Sequence, residues 1–373
     1  METAKKVLLV GVDTDEEKDF DRSMAELKAL AEACECQVVG IITQRRPRVD
    51  QALYIGSGKV QEVQLYAQEC EAEEIVFDNT LSPSQIRNLT RALALPVTDR
   101  TNLILDIFAI RARTGEARLQ VEMAKLQYML PRLVGMHESL GRQAGTGGSM
   151  SNKGLGEKKL ELDRRRLEHR IHELKKEIEK LERSRQIQRK RRNASQVPQV
   201  ALVGYTNAGK STILNRVLGT FGRPMDKQVL EKDMLFATLE TSVRKIDTGD
   251  GRPFLLSDTV GFIHKLPHGL VKAFHSTLEE IRYADLLVQV VDVSDEDYRE
   301  QMHVTEETLK ELEIGDIPQI IVYNKADKCQ MTDLPRVSES GDSIHMAAGI
   351  EVGIRELVQL IQERLYAEDR NVF

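Results

Sequence analysis

Short apolar runs rich in β-branched residues alternate with amphipathic stretches through the first hundred residues. Val7-Leu8-Leu9-Val10, Val38-Val39-Gly40-Ile41-Ile42 and Ile75-Val76-Phe77 read as buried strands. Between the first two, Met24, Leu27, Leu30 and Ala31 recur at helical spacing. This alternation predicts a small parallel α/β domain over residues 1–110.

The pattern then changes. Leu119, Met123, Leu126, Leu130 and Leu133 fall on one helix face, and so do Leu160, Leu167, Ile171, Leu174, Ile178 and Leu181, with Arg164 breaking the second stripe. Two such helices predict a long antiparallel hairpin over 111–192, closed along its apolar seam. The seven glycines between Gly135 and Gly156 predict a tip without packed structure. After Val197-Pro198 the α/β alternation returns, with strands predicted at 199–203, 254–257, 286–291, 319–323 and 343–346 and a last helix from Gly353 to Tyr366. Residues 193–373 should therefore form a second α/β domain around a mostly parallel sheet.

Composition adds limits. The chain has 373 residues, enough for two or three domains, and its 41 % hydrophobic and 30 % charged residues suit a soluble globular protein. No apolar stretch approaches the roughly 18–20 residues that cross a bilayer, and the N-terminus does not resemble a signal sequence, so a cytoplasmic protein without membrane contact is expected. Cys34, Cys36, Cys70 and Cys329 have no metal-ligand spacing and read as reduced thiols. A net charge of −6 excludes a general attraction to nucleic acid, so any such contact must be local. One local source exists: residues 157–192 hold fifteen Lys/Arg against eight Asp/Glu, 15 − 8 = +7, ending in Arg189-Lys190-Arg191-Arg192. This is either a solvated coiled-coil face or an arm that contacts phosphates.

The chemistry sits in the last domain. Gly204-Tyr205-Thr206-Asn207-Ala208-Gly209-Lys210-Ser211, followed by Thr212, matches GxxxxGK[ST] between a strand and a helix. Such a loop wraps phosphates with backbone N–H groups, sends Lys210 to the β/γ oxygens and offers Ser211 to Mg2+. Gly56-Ser57-Gly58-Lys59 lacks both the first glycine and the final Ser/Thr, and is rejected as a second such loop. Asp258-Thr259-Val260-Gly261 ends a strand, where Asp258 can hold the metal through water and the Gly261 N–H can sense a γ-phosphate. Asn324-Lys325-Ala326-Asp327 supplies a carboxylate for guanine N1 and its 2-amino group, which adenine cannot match. Within Phe236-Ala237-Thr238-Leu239-Glu240, Thr238 is the candidate switch threonine that completes Mg2+ coordination. Lys210, Thr238 and Gly261 are the expected catalytic set, with GTP/GDP and Mg2+ as ligands. Ras-like enzymes place a water-orienting glutamine after Asp-x-x-Gly, but here the residue is Phe262, so slow intrinsic hydrolysis and stimulation by a partner are expected.

These motifs and their flanks resemble the HflX family of ribosome-associated GTPases. Leu235-Phe236-Ala237-Thr238-Leu239 and Asp258-Thr259-Val260-Gly261-Phe262-Ile263 are similar to its switches. Leu266-Pro267-His268, Leu270-Val271-Lys272-Ala273-Phe274, Thr98-Asp99-Arg100-Thr101 and Leu105-Asp106-Ile107-Phe108 continue the likeness. The resemblance implies an N-terminal α/β domain with a helical arm, then a G domain. It also implies binding to the large ribosomal subunit and its RNA through that arm, with splitting of ribosomes under stress by some members; a monomer is expected. An alternative is a GTP-gated tether to RNA or protein, timed by slow hydrolysis. Two positions depart from the family. Gly154-Leu155-Gly156-Glu157-Lys158-Lys159 stands where Gly-Pro-Gly-Glu-Thr-Gln is usual, which allows a divergent paralogue acting on antibiotic-stalled ribosomes. Ala347-Ala348 stands where a Ser-Ala pair backs the guanine O6.

Overall fold

The computed structural model describes residues 4–15, 19–143, 150–193, 197–222, 235–236, 239, 241–265, 281–314, 316–329 and 334–367, with side chains of the two long helices described over 115–132 and 161–183. The chain divides into two compact units, Met1–Leu181 and Glu182–Phe373.

The first unit opens with β1 (Lys6–Asp13), α1 (Phe20–Ala33), β2 (Gln37–Arg45), α2 (Ser57–Glu69) and β3 (Glu74–Phe77). It continues with α3 (Pro83–Leu93), β4 (Val97–Asp99) and α4 (Arg100–Arg111). Its four strands are parallel in the order β2-β1-β3-β4. Val10, Phe77, Leu81, Leu89 and Val97 lie in one apolar cluster with Ile55 and Val63, as continuous apolar strands of a sheet covered by helices require. Gly56-Ser57-Gly58-Lys59 is a helix start: Gly56 caps α2, its N–H donates to Gln44 Oε1 at 2.9 Å, and Lys59 pairs with Glu62.

The long helices are α5 (Gly115–Gln143) and α6 (Met150–Asn193). Helix therefore continues through Gly135, Gly141, Gly154 and Gly156, whereas 144–149, with the other three glycines of the expected tip, lie outside the described residues. A helical glycine costs only about 1 kcal/mol relative to alanine, and isolated ones between good helix formers do not stop a helix. Among the described residues of α5, which packs on α3 and α4, Ala117, Gln120, Val121 and Ala124 are buried, whereas Leu119, Met123, Leu126 and Leu130 are half-buried. On α6, Leu174 and Ile178 are buried, while Leu181 is exposed. Arg170 clamps Glu122 across the two helices at 2.8 and 3.2 Å.

A buried carboxylate ties α5 to the sheet. Asp99, fully buried at the end of β4, accepts hydrogen bonds from the Leu81 and Asn102 N–H groups at 3.0 Å. It also accepts from Tyr128 Oη at 2.6 Å and Arg132 Nη2 at 3.1 Å, both on α5. Burial and the neighbouring Asp99 charge push the Tyr128 phenol far above its usual range, so it serves as a permanent donor. Next door, buried Arg100 pairs with Asp78 at 2.7 Å and with Glu26.

The second unit contains β5 (Gln199–Gly204), α7 (Lys210–Phe221), β6 (Ser242–Ile246), β7 (Phe254–Asp258), β8 (Leu286–Asp292), α8 (Tyr298–Glu311), β9 (Gln319–Asn324), β10 (Arg336–Val337), β11 (Ser343–His345) and α9 (Ile354–Leu365). Its sheet order is β10-β11-β9-β8-β5-β7-β6, parallel except for the two edge strands. One face packs Val200, Leu202, Val288 and Val290 against Ile213, Leu214 and Val217 of α7 and Leu357 and Ile361 of α9. The other packs Ala201, Val203 and Leu287 against Phe262, Ile281 and Leu309. The alternation of the two sets along β5 is the strand period of two. Among the described residues, no helix is long and apolar enough to cross a membrane.

Candidate functional site

The central strand β5 runs into the loop 204–209, and α7 starts at Lys210. Gly204 has φ +137°, and a Cβ there would lie 2.3 Å from the Val290 carbonyl oxygen. Gly209 has φ +100°, and its Cβ would lie 2.3 Å from Asn324 Nδ2. Both ends of the loop therefore demand glycine for backbone and packing reasons together. Asn207, exposed at the loop's apex, adopts φ +62°, which asparagine tolerates better than most residues.

Lys210 is buried, and its ammonium donates to the carbonyls of Gly204 at 3.0 Å and Tyr205 at 2.7 Å. Burial pulls its pKa down to about 8, against the opposing pull of the Asp258 carboxylate. Ser211 Oγ donates to Asp258 Oδ2 at 2.6 Å, so the two oxygens converge at the N-terminus of α7. Hard oxygen donors of this kind suit Mg2+. Asp258 and Thr259 are fully buried, and Thr259 Oγ1 donates to the Leu202 carbonyl at 2.6 Å, which ties the end of β7 to β5.

The segment after Asp258 is stitched to the loop. Phe262 N–H donates to the Gly204 carbonyl at 3.1 Å and Thr206 N–H to the Phe262 carbonyl at 2.8 Å. Tyr205 Oη accepts from His264 N–H at 2.8 Å. The Phe262 side chain, 2 % exposed, belongs to the apolar cluster with Val203 and Leu309. It lacks a polar group, and it is also committed to the core. Phe262→Gln is therefore expected to leave hydrolysis unaccelerated while lowering unfolding stability by about 2–4 kcal/mol, since a buried amide replaces a ring. Turnover and urea unfolding of that variant check both halves.

Asn324 is the strut of the base side. Its Nδ2 donates to the Ala208 carbonyl at 2.9 Å, and its Oδ1 accepts from the Ala348 N–H at 3.0 Å. Loop 204–209, the Asn324-Lys325-Ala326-Asp327 turn and the buried Ala347-Ala348 pair are thus brought together. Lys325 Nζ donates to the Asn207 carbonyl at 2.9 Å and pairs with Asp292 at 2.7 Å. Asp292 escaped the sequence reading; its signal is its place at the end of β8, opposite Asn324. Asp327 is exposed in the short helical turn after β9, and Ala326 is buried beneath it. Thr212 lies half-buried on α7, and Val260 is buried. Phe236 and Leu239 are buried, whereas Ala237, Thr238 and Glu240 lie outside the described residues, as do 266–280.

The Lys210 environment has a pH signature. Its pKa is about 8 in the folded chain against 10.5 as the ordinary value. Between those values the unfolded chain binds a proton that the folded one lacks, so stability rises with pH across that window. Below pH 8 the cost of the buried ammonium is carried in full, and above pH 10.5 it is gone. Relative to Lys210→Met, the nucleotide-free wild type should gain about 3 kcal/mol across the window, measured by urea unfolding at stepped pH.

A glycine-bounded loop at a helix N-terminus, in a doubly covered parallel sheet with an Asn-Lys-Ala-Asp turn beside it, defines a P-loop GTPase domain. Family models match three consecutive stretches: "GTP-binding GTPase N-terminal" over residues 21–109, "GTP-binding GTPase Middle Region" over 111–192 and "50S ribosome-binding GTPase" over 199–325. The GTPase HflX of Caldanaerobacter subterraneus subsp. tengcongensis is 44 % identical over 98 % of this chain and 81 % of its own length. That of Escherichia coli is 38 % identical over 98 % and 84 %. The fold is also that of SsGBP in its GDP complex, at 24 % identity and a TM-score of 0.51 over 99 % of both chains. The chain belongs to the HflX family of GTPases, and it is a GTP hydrolase.

Proposed function

We propose that this GTPase binds the large ribosomal subunit through its helical hairpin and couples its GTP state to ribosome dissociation or to rescue of stalled ribosomes. The observation that carries the ribosomal reading is the match of residues 199–325 to a family described as 50S ribosome-binding GTPases. The hairpin supports the mode of contact. Residues 157–192 carry a +7 excess on a chain of net −6, and that excess would displace counterions from RNA phosphates. Within 161–168, Arg164 pairs with Glu168 and Arg165 with Glu161.

In the nucleotide site, the N–H groups of 207–211 cradle the phosphates, and Lys210 exchanges its two carbonyl partners for phosphate oxygens. Ser211 and Thr238 would hold Mg2+, with Asp258 hydrogen-bonded to Ser211. When bound, the metal would neutralise charge on the phosphates. Gly261 N–H reads the terminal phosphate. Asp327 accepts from guanine N1 and its 2-amino group, and the Ala347-Ala348 backbone faces O6. Phe262 leaves water positioning to another group, so hydrolysis waits for the ribosome.

Sedimentation with ribosomal subunits in GTP, GDP and a non-hydrolysable analogue tests this. Co-migration with the large subunit is expected, strongest with the analogue, weakened by salt and lost in Lys210→Ala. Failure to bind the large subunit in any nucleotide state would sink the proposal. A tether reading, favoured by the core position of Phe262, predicts stimulated turnover without separation of subunits.

A further inference from the structure

Thr206 is 6 % exposed, and its Oγ1 has no hydrogen-bond partner among the described residues. Valine has nearly the same shape, so packing does not demand the hydroxyl. A buried hydroxyl without a partner weakens a fold, and such groups call for an explanation outside packing.

Its surroundings supply one. A Cβ built on Gly261 would stand 2.7 Å from Thr206 Cα, 2.8 Å from Thr206 Cγ2 and 3.0 Å from Lys210 Nζ. Only glycine fits at 261, and the Gly261 backbone and the Lys210 ammonium share one corner with the Thr206 side chain, whose Cγ2 methyl is the side-chain atom nearest Gly261 and whose hydroxyl a turn about χ1 would bring there. The Thr206 N–H is spent on the Phe262 carbonyl at 2.8 Å, which fixes the residue between the loop and the segment after β7. The side-chain hydroxyl is what this residue has left to offer. In the nucleotide reading above, on which this step rests, that corner receives the terminal phosphate. GDP does not reach it.

We propose that the Thr206 hydroxyl donates a hydrogen bond to the terminal phosphate of GTP and is a residue by which this site tells GTP from GDP. A donor to a charged oxygen in a buried corner is among the stronger hydrogen bonds, whereas the same hydroxyl facing GDP has no phosphate to meet.

Titrations of the full chain with fluorescent GDP and a fluorescent non-hydrolysable GTP analogue test this in wild type, Thr206→Val and Thr206→Ser. Thr206→Val should keep GDP affinity within about twofold and lose about tenfold for the analogue, and Thr206→Ser should restore most of that loss. In the absence of nucleotide, Thr206→Val should unfold at no lower urea concentration than wild type, since no partner is lost. Equal analogue affinity in Thr206→Val and wild type would overturn the proposal. So would a variant that unfolds more readily and loses both nucleotides alike, because that pattern marks a packing role. A wild type that binds neither nucleotide would refute the nucleotide reading itself, a result distinct from either.

Discussion

Asp99→Ala should lower the unfolding free energy by about 3–5 kcal/mol, the range for breaking a buried charged pair by removing one partner. Asp99 is wholly buried and satisfies four donors: Leu81 N–H, Asn102 N–H, Tyr128 Oη and Arg132 Nη2. Truncation removes the carboxylate partner of the Arg132 guanidinium and leaves it the Tyr128 carbonyl at 2.7 Å, the Leu81 carbonyl at 3.3 Å and the face of the Tyr128 ring. It also removes the side-chain cap of α4, since the Asn102 N–H is its N-terminal donor. Because Tyr128 and Arg132 lie on α5, the loss should loosen the attachment of that helix to the sheet. Urea unfolding gives the magnitude, and hydrogen exchange along 115–132 gives the location. A change below about 1 kcal/mol would show that the network is peripheral.

Lys210→Ala is expected to reduce GTP hydrolysis by about 10²–10³-fold or more, on the scale of removing one preorganised donor to developing charge. The same substitution should raise the stability of the nucleotide-free chain near neutral pH. A buried ammonium whose pKa has fallen to about 8 is held at a cost, with two carbonyls and the Asp258 charge in compensation among the described residues. Loss of activity with gain of stability is the pattern of a group kept for function rather than for folding. Single-turnover hydrolysis and urea unfolding on one preparation measure both. A variant that loses activity and stability together would mean that Lys210 chiefly holds the loop in shape.

Much of the second unit was legible in the amino-acid order. The strands predicted at 199–203, 254–257, 286–291, 319–323 and 343–346 are observed within a residue or so at each end. β5, β7 and β8 are central strands buried on both faces and read as unbroken apolar runs, whereas β9 and β11 alternate buried with half-buried positions. β6 was missed because Arg244 and Lys245 interrupt its apolar pattern, which an antiparallel edge strand tolerates. β4 was missed because it is only three residues long and follows Pro96. The hairpin was anticipated, and Leu174 and Ile178 of its second stripe are buried. Periodicity located the leucines of α5 without revealing that Ala117, Val121 and Ala124 are more deeply buried on this helix, which packs on α3 and α4. Small residues permit the closest helix approach and leave the weakest hydrophobic signal.

The sequence by itself determined the class of protein. Gly204 to Ser211, Asp258 to Gly261 and Asn324 to Asp327 come in the order and local settings that GTP chemistry requires, and each motif is short enough to read from neighbours in the chain. Tertiary structure decided what those motifs touch. Asn324 bonds Ala208 across 116 positions, Arg100 meets Ser23 across 77, and Phe262 turns into the core instead of toward the phosphate loop. Such contacts depend on which strands lie side by side and which face each side chain takes. Local propensity carries neither, because both follow from burying the whole sheet at once.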